Sequence, residues 1–247
     1  MHNELEHLAE FDSALADYHL SEDGKKILER TKLVLLTAPT SVGRNTMILE
    51  ALKSGRFDFM VSDTTRLPRI NNGALEQNGR EYWFRSEQEM LDDIRSGAFL
   101  EAAVIHDQQV SGTSLRELKK AADNHKIAIA DVEVTGAENI YRLKPDTLFC
   151  FVLPPSFEEW LKRLHKRGRL PDDEVKRRLT SAVKEFQTAL NRPYYKFIIN
   201  DDLERAVKQI EKFANTGIID SASQQSAKDL AHRLLIGLKH YLKAQKS

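Results

Sequence analysis

The chain has 247 residues, with 37 Lys plus Arg balanced by 37 Asp plus Glu, so its formal charge is zero. A near-neutral field gives no reason to expect a general nucleic-acid or membrane-surface binder, and any phosphate binding has to come from local clusters. No apolar run approaches the roughly 18 residues that span a bilayer, and the acidic start has no apolar leader core, so a cytoplasmic setting is expected. The single cysteine, Cys150, allows no disulfide within the chain and reads as a small buried hydrophobe inside the apolar run 148–153.

Taken in chain order, residues 1–31 read as one or two amphipathic helices, with Leu5, Leu8, Phe11, Leu15 and Tyr18 at helical spacing ahead of a turn signal at 21–24. Residues 32–37 (KLVLLT) form a short, fully apolar strand, and the turn-rich stretch 38–43 leads into a helix over about 45–53. Further strands are expected at 59–61, 127–132, 148–153 and 196–199, with helices at 87–96, 115–124, 157–165 and 172–190 between them. This alternation predicts an α/β fold, a parallel sheet flanked by helices. Residues 78–113 interrupt it with shorter polar strands near 81–84 and 102–106, as an inserted lobe does. Past Phe213, residues 215–225 are small and polar and read as a linker. A last helix carries Leu230, Ala231, Leu234, Leu235, Leu238, Tyr241 and Leu242 on one face, suited to cap its own core or to pair with a second copy or a protein partner.

Chemistry enters at the first strand-to-helix turn. A phosphate loop needs successive backbone N–H groups aimed at the phosphates, a cation for the terminal phosphates and a hydroxyl near magnesium. Ala38-Pro-Thr-Ser-Val-Gly-Arg-Asn-Thr46 stands in that context with an altered G-x-x-x-x-G-K-[ST] pattern. Ala38 replaces the first glycine, Gly43 is the second, Arg44 replaces the lysine, and Asn45 precedes the hydroxyl of Thr46. By itself the stretch reads equally as a nucleotide loop or as an ordinary turn. Arg66 and Arg69, either side of Pro68, are able to grip one phosphate through planar, permanently charged forks, or are solvated surface residues. Tyr82 offers a hydroxyl to the same phosphate, or packs with its aromatic neighbours. Five cations, Lys162, Arg163, Lys166, Arg167 and Arg169, crowd one segment ahead of Arg178, a run that is ordinarily a solvated helix face.

Several stretches together resemble the guanylate kinase family over about residues 32–213. They are Val61-Ser-Asp-Thr-Thr-Arg-Leu-Pro-Arg69, Glu81-Tyr-Trp-Phe84, Phe99-Leu-Glu101, Asp131-Val-Glu133-Val-Thr-Gly136, Leu153-Pro-Pro-Ser156, the segment 163–168, Arg178-Leu179 and Asn200-Asp-Asp-Leu203. The resemblance implies a P-loop NTPase sheet with an inserted mononucleotide-binding lobe at about 62–113 and a lid at about 162–178, leaving 1–31 and 214–247 as appendages. It implies ATP at Thr40, Ser41, Val42, Gly43, Arg44, Asn45 and Thr46, with Asn200 near the adenine. It places a purine mononucleotide, GMP, at Ser62, Arg66, Arg69, Tyr82, Glu101, Thr113 and Glu133. Guanine presents N1–H and N2–H₂ donors, for which the carboxylates of Glu101 and Glu133 are fitting acceptors. The expected reaction moves the ATP γ-phosphate to GMP, with Arg44, Arg163, Arg167 and Arg178 stabilising the transferring charge and Mg²⁺ oriented indirectly by Asn45, Thr46 and Asp131.

The chain also departs from the family. Arg44 is bulkier and flatter than lysine. Ala38 and Ser41 carry side chains where the family has glycine, which matters wherever φ is positive. Ser111, after Gln108, Gln109 and Val110 and before Gly112-Thr113, stands where the family has a phosphate-binding tyrosine, and Glu133 is one methylene longer than the usual aspartate. These changes keep two other readings open: a catalytically weak or inactive nucleotide- or protein-binding module, and a kinase for another nucleoside monophosphate.

Overall fold

The computed structural model describes residues 5–71, 73–105, 107–166 and 172–245. In chain order they begin with α1 (Leu8–Ala16), α2 (Glu22–Arg30), β1 (Leu33–Thr37), α3 (Arg44–Leu52), β2 (Phe57–Phe59) and β3 (Asp63–Thr64). A small hairpin, β4 (Ile70–Asn71) and β5 (Ala74–Leu75), precedes β6 (Trp83–Phe84), α4 (Glu87–Arg95), β7 (Phe99–Ile105), β8 (Gln109–Ser114) and α5 (Leu115–Asp123). There follow β9 (Ile127–Asp131), α6 (Val134–Leu143), β10 (Leu148–Leu153), α7 (Phe157–Lys166), α8 (Asp172–Asn191), β11 (Tyr195–Ile199), α9 (Leu203–Thr216) and α10 (Ser221–Ala244).

Capping chemistry sets several of these ends. The turn signal at 21–24 is the N-cap of α2, where the Ser21 hydroxyl accepts the Gly24 N–H at 3.2 Å. Ser86 and Glu89 form a reciprocal capping box at the start of α4. The expected linker is largely helical: α9 ends on Gly217 at φ 68°, and Asp220 already caps α10 by accepting the Ser223 N–H at 2.8 Å. Residues 221–225 are small and polar because they open α10 next to its cap, with Ser221, Ala222 and Gln225 exposed and Ser223 and Gln224 half-buried, a composition that a linker shares. The strand expected at 59–61 runs instead over Phe57–Phe59, and α6, α9 and β8 are elements that periodicity did not single out.

The chain divides into two compact units. The second unit takes Leu33–Arg56, Asp131–Ala137 and everything from Asp146 onward. Here β1 pairs in parallel with β10, Val34 facing Leu148 and Thr37 facing Phe151, and β10 pairs in parallel with β11, Phe149 facing Tyr195. Every residue of β1 is buried, which is why the run 33–37 is apolar without alternation. Helix α9 packs on β10 and β11, and α3 packs on α9. Edge-to-face rings fill the core, Phe151 against Phe186 at 5.4 Å and against Phe197 at 5.7 Å. Cys150 is wholly buried there, and burial pushes its thiol pKa up, so it acts as a packing residue.

Helix α10 covers its own unit. Ala227, Ala231, Leu234 and Leu238 are buried, Tyr241 packs edge-on to Phe157 at 5.5 Å, and the Gln224 amide pairs with both backbone groups of Phe197, at 2.8 and 3.0 Å. Gln224 thus hydrogen-bonds to β11 as a further strand would.

The first unit takes the chain up to Lys32, Phe57–Ala130 and Glu138–Pro145. Strand β2 pairs in parallel with β9, and a four-stranded sheet has the order β6-β3-β8-β7. In it Glu101 faces Thr113, Ala103 faces Ser111 and Ile105 faces Gln109 across β7 and β8. Side chains alternate along a strand, so these residues share one side of the sheet. Val110, with Phe99, Ala102 and Val104, packs instead with Phe11 of α1 and Met90, Leu91 and Ile94 of α4. The outermost strand, β7, is covered by the N-terminal segment, whose Tyr18 hydroxyl donates to the Phe99 carbonyl and accepts the Phe99 N–H at 2.9 Å. Burial raises the Tyr18 phenol to about 12.

Candidate active site

In the second unit β1 delivers the chain into the loop 38–43 ahead of α3. Gly43 at the N-cap has φ 99°, and a Cβ there would lie 2.5 Å from Asn200 Nδ2, so glycine is required on both counts. Ser41 has φ 66° and a buried hydroxyl without a hydrogen-bond partner, whereas Ala38 is not among the positive-φ residues. Of the two replaced glycines, only the one at 41 meets a conformational demand.

Long-range donors hold this loop by its carbonyls. Trp160 Nε1 donates to Thr40 O at 2.8 Å, Asn200 Nδ2 to Val42 O at 2.8 Å, and Arg163 Nη1 to Val42 O at 3.3 Å and to Asn200 O at 3.2 Å. Arg178 Nη1 reaches Thr40 Oγ1 at 3.4 Å while its Nε pairs with Glu174 at 2.6 Å, and Arg178 holds the Glu174 carboxyl below its ordinary range. Arg167 lies outside the described residues.

At the end of β9, Val132 N–H donates to Leu36 O at 3.1 Å and Val132 O accepts from Arg44 Nη1 at 3.2 Å. Arg44 therefore turns its fork toward the strand end that also carries Asp131 and Glu133. Asn45 and Thr46 are exposed in the first turn of α3, and Glu133 is exposed as well. Glu185 of α8 faces this corner with one buried, unpartnered oxygen; burial, then the charge of Glu133, raise its carboxyl to about 8 against the pull of Arg44.

The first unit holds Ser62, Arg66, Arg69, Tyr82, Glu101 and Thr113. Arg66 grips Glu76 through both oxygens, at 2.6 and 3.0 Å, and its guanidinium lies 4.6 Å from the Tyr82 ring centre and 5.6 Å from that of Phe84. Glu76 also accepts the Arg69 N–H at 2.9 Å, and the Arg66 hydrogen bond holds its pKa below the usual carboxylate range. The β4-β5 hairpin makes this possible: Gly73 at φ 80° turns the chain so that Ile70 faces Leu75 and Glu76 returns to Arg66. The Arg69 side chain is exposed, and Ser62 is half-buried with its carbonyl accepting the Trp83 N–H at 2.9 Å. Thr113 Oγ1 donates to Glu101 Oε1 at 2.9 Å, and Thr64 and Ser111 pair hydroxyls at 2.9 Å.

Asp63 supports the site from within the sheet. It is fully buried between Arg85 at 2.9 Å and Arg116 at 2.7 Å. Burial raises its pKa against the pull of both guanidiniums.

The family model described as guanylate kinase matches residues 30–216. The chain belongs to the guanylate kinase family. Guanylate kinases of Porphyromonas gingivalis and Corynebacterium glutamicum are 36% and 38% identical to it, over 74% and 73% of this chain and 95% and 93% of theirs. Guanylate kinase 1 of rice, Oryza sativa subsp. japonica, is 35% identical over 74% of this chain, which spans about half of that relative, 48%. The crystal structure of guanylate kinase from Anaplasma phagocytophilum matches 81% of this chain and 93% of its own with a TM-score of 0.56 at 22% identity, which shows the shared fold.

In this guanylate kinase family member α1, nearly all of α2 and α10 fall outside the matched span. Of the expected site residues, Thr40 to Thr46, Asp131, Glu133, Arg163, Arg178 and Asn200 fall in one unit, and the other six expected nucleotide residues fall in the other. Sequence reasoning overlooked Glu76, Trp160 and Glu185. Only Glu76 left a signal, the Asn-Gly dipeptide at 72–73 that marks a hairpin between Arg69 and Glu76.

Proposed function

We propose that the protein transfers the γ-phosphate of ATP to GMP, giving ADP and GDP. The observation that carries this reading is the arrangement in the first unit, where a permanently charged fork, Arg66, is oriented by Glu76 and Tyr82 while Glu101 is oriented by Thr113. The first suits a phosphate monoester and the second the N–H donors of guanine. Arg69, exposed three residues from Arg66, adds a second guanidinium for the same phosphate, Tyr82 offers its hydroxyl, and Ser62 is a further base contact.

ATP takes the loop from Thr40 to Thr46, where the N-terminus of α3 and Arg44 meet its phosphates. Arg178, at the loop's Thr40, supplies positive charge to the transferring group, whereas Arg163 and Asn200 hold the loop backbone in shape. An acceptor phosphate oxygen attacks the γ-phosphorus and ADP leaves, without a protein nucleophile. Asn45, Thr46 and Asp131 carry the hard oxygen donors that Mg²⁺ takes. Among the described residues no group of three or more His, Cys, Asp or Glu side chains is placed to hold a metal, so Mg²⁺ would arrive with the triphosphate and neutralise its charge there. No described helix is long and apolar enough to cross a membrane, and a cytoplasmic nucleotide pool suits the reaction.

Purified protein with Mg-ATP is expected to convert GMP to GDP faster than it phosphorylates AMP, CMP or UMP. Ser41 at φ 66° and the contact of Arg44 with Val132 O favour a second reading, a weak or inactive nucleotide-binding module. Absence of turnover with all four acceptors, even in Arg44→Lys and Ser41→Gly, would establish that second reading instead.

A further inference from the structure

Gln109 opens β8, the strand that pairs with β3 just ahead of Arg66. In the β3–β8 pairing Asp63 faces Gly112 and Thr64 faces Ser111. The pairing continues one step past β3, because Thr65 N–H donates to Val110 O at 3.0 Å and Val110 N–H donates to Thr65 Oγ1 at 2.9 Å. Arg66 and Gln109 are the next residues outward along these two segments. Alternation puts Gln109 on the side of Ser111, Thr113 and Glu101. A line of polar groups connects them: Gln109 Nε2 donates to Ser111 Oγ at 3.4 Å, and Ser111 Oγ pairs with Thr64 Oγ1 at 2.9 Å. A primary amide has two N–H donors, and Ser111 takes one. Neither Ser111 nor its cross-strand partner Ala103 is bulky, and Gln109 itself is only half-buried.

We propose that Gln109 donates its second amide N–H to the phosphate of the acceptor nucleotide, beside Arg66, and thereby selects a monophosphate ester over the bare nucleoside. The inference rests on the GMP reading above and adds a residue to its acceptor site. Ser111 and Thr64 hold the amide on the correct side of the sheet.

The test compares wild type, Gln109→Ala and Gln109→Glu in GMP binding by calorimetry, guanosine binding by competition, and steady-state kinetics. A lost charge-assisted hydrogen bond weakens GMP about tenfold in Gln109→Ala, and a like charge beside the phosphate weakens it by about a hundredfold in Gln109→Glu. Guanosine affinity and the KM for ATP stay within about twofold, because neither ligand meets this amide. Equal weakening of GMP and guanosine would assign Gln109 a merely structural role and overturn the proposal, as would unchanged GMP affinity in Gln109→Glu. Wild type that binds GMP without turning it over would defeat the kinase reading while the binding ratios still decide the role of Gln109. Wild type that binds no GMP defeats both.

Discussion

Glu76 reaches back ten residues to hold Arg66 through both carboxylate oxygens, at 2.6 and 3.0 Å, with the two side chains only 8% and 11% exposed. The pair orients the guanidinium before any nucleotide arrives. Glu76→Gln leaves Arg66 partly uncompensated and lowers stability by about 1–3 kcal/mol in urea unfolding. The phosphate of GMP replaces the missing negative charge, so GMP raises the melting temperature of Glu76→Gln more than that of wild type. Identical shifts in both proteins would mean that the phosphate does not meet Arg66.

Arg66→Ala removes the fork itself. The KM for GMP rises about 10- to 100-fold with the KM for ATP within about twofold, as loss of a charge-assisted bidentate contact implies. An unchanged GMP KM would show the acceptor site to be elsewhere.

Ser41 combines a left-handed backbone with an unpartnered buried hydroxyl. Ser41→Gly relieves both and stabilises the protein by about 1–2 kcal/mol, read from the denaturation midpoint. Ala38→Gly gives no such gain, since it relieves no positive φ, adds backbone entropy to the unfolded chain and deletes a buried methyl group. Equal effects of the two substitutions would contradict the strain at 41.

Glu185 gives a pH dependence of definite sign. Its carboxyl is raised to about 8 in the folded protein, while the unfolded chain titrates near the ordinary value of about 4.3. Between these values the folded state keeps a proton that the unfolded state has released, so stability is greatest below the lower value and falls as pH rises toward the upper one. Glu185→Gln, always neutral, removes this dependence: its advantage over wild type grows from near zero at about pH 4 to roughly 2–4 kcal/mol at about pH 8. Parallel stability curves for the two proteins across that range would refute the assignment.

The appendages each cover a strand edge, Tyr18 at Phe99 and Gln224 at Phe197. Tyr18→Phe and Gln224→Ala are each expected to lower stability by about 1–2 kcal/mol. Truncation after Asp220 exposes the β11 edge and the apolar surface beneath α10, and sedimentation at rising concentration then detects self-association. A truncated protein that stays monomeric and equally stable would show that α10 is not needed as a cover.

The apolar runs at 33–37 and 148–153, the turn chemistry after the first strand and the order of short motifs were sufficient to read the α/β class and the family. These features depend on neighbours close along the chain, where period and composition report burial directly. The polar stretch at 221–225 was ambiguous for the same reason, since a polar helix start and a linker share a composition and only the cap by Asp220 separates them. Which replaced glycine matters and where Glu185 keeps its proton were decided by tertiary structure. The loop takes its shape from Trp160 and Asn200, far along the chain, and the electrostatics of Glu185 arise from Glu133 and Arg44 on other segments. Backbone strain and proton affinity at a residue are set by whichever distant groups the fold brings to it, and residue spacing carries no record of those.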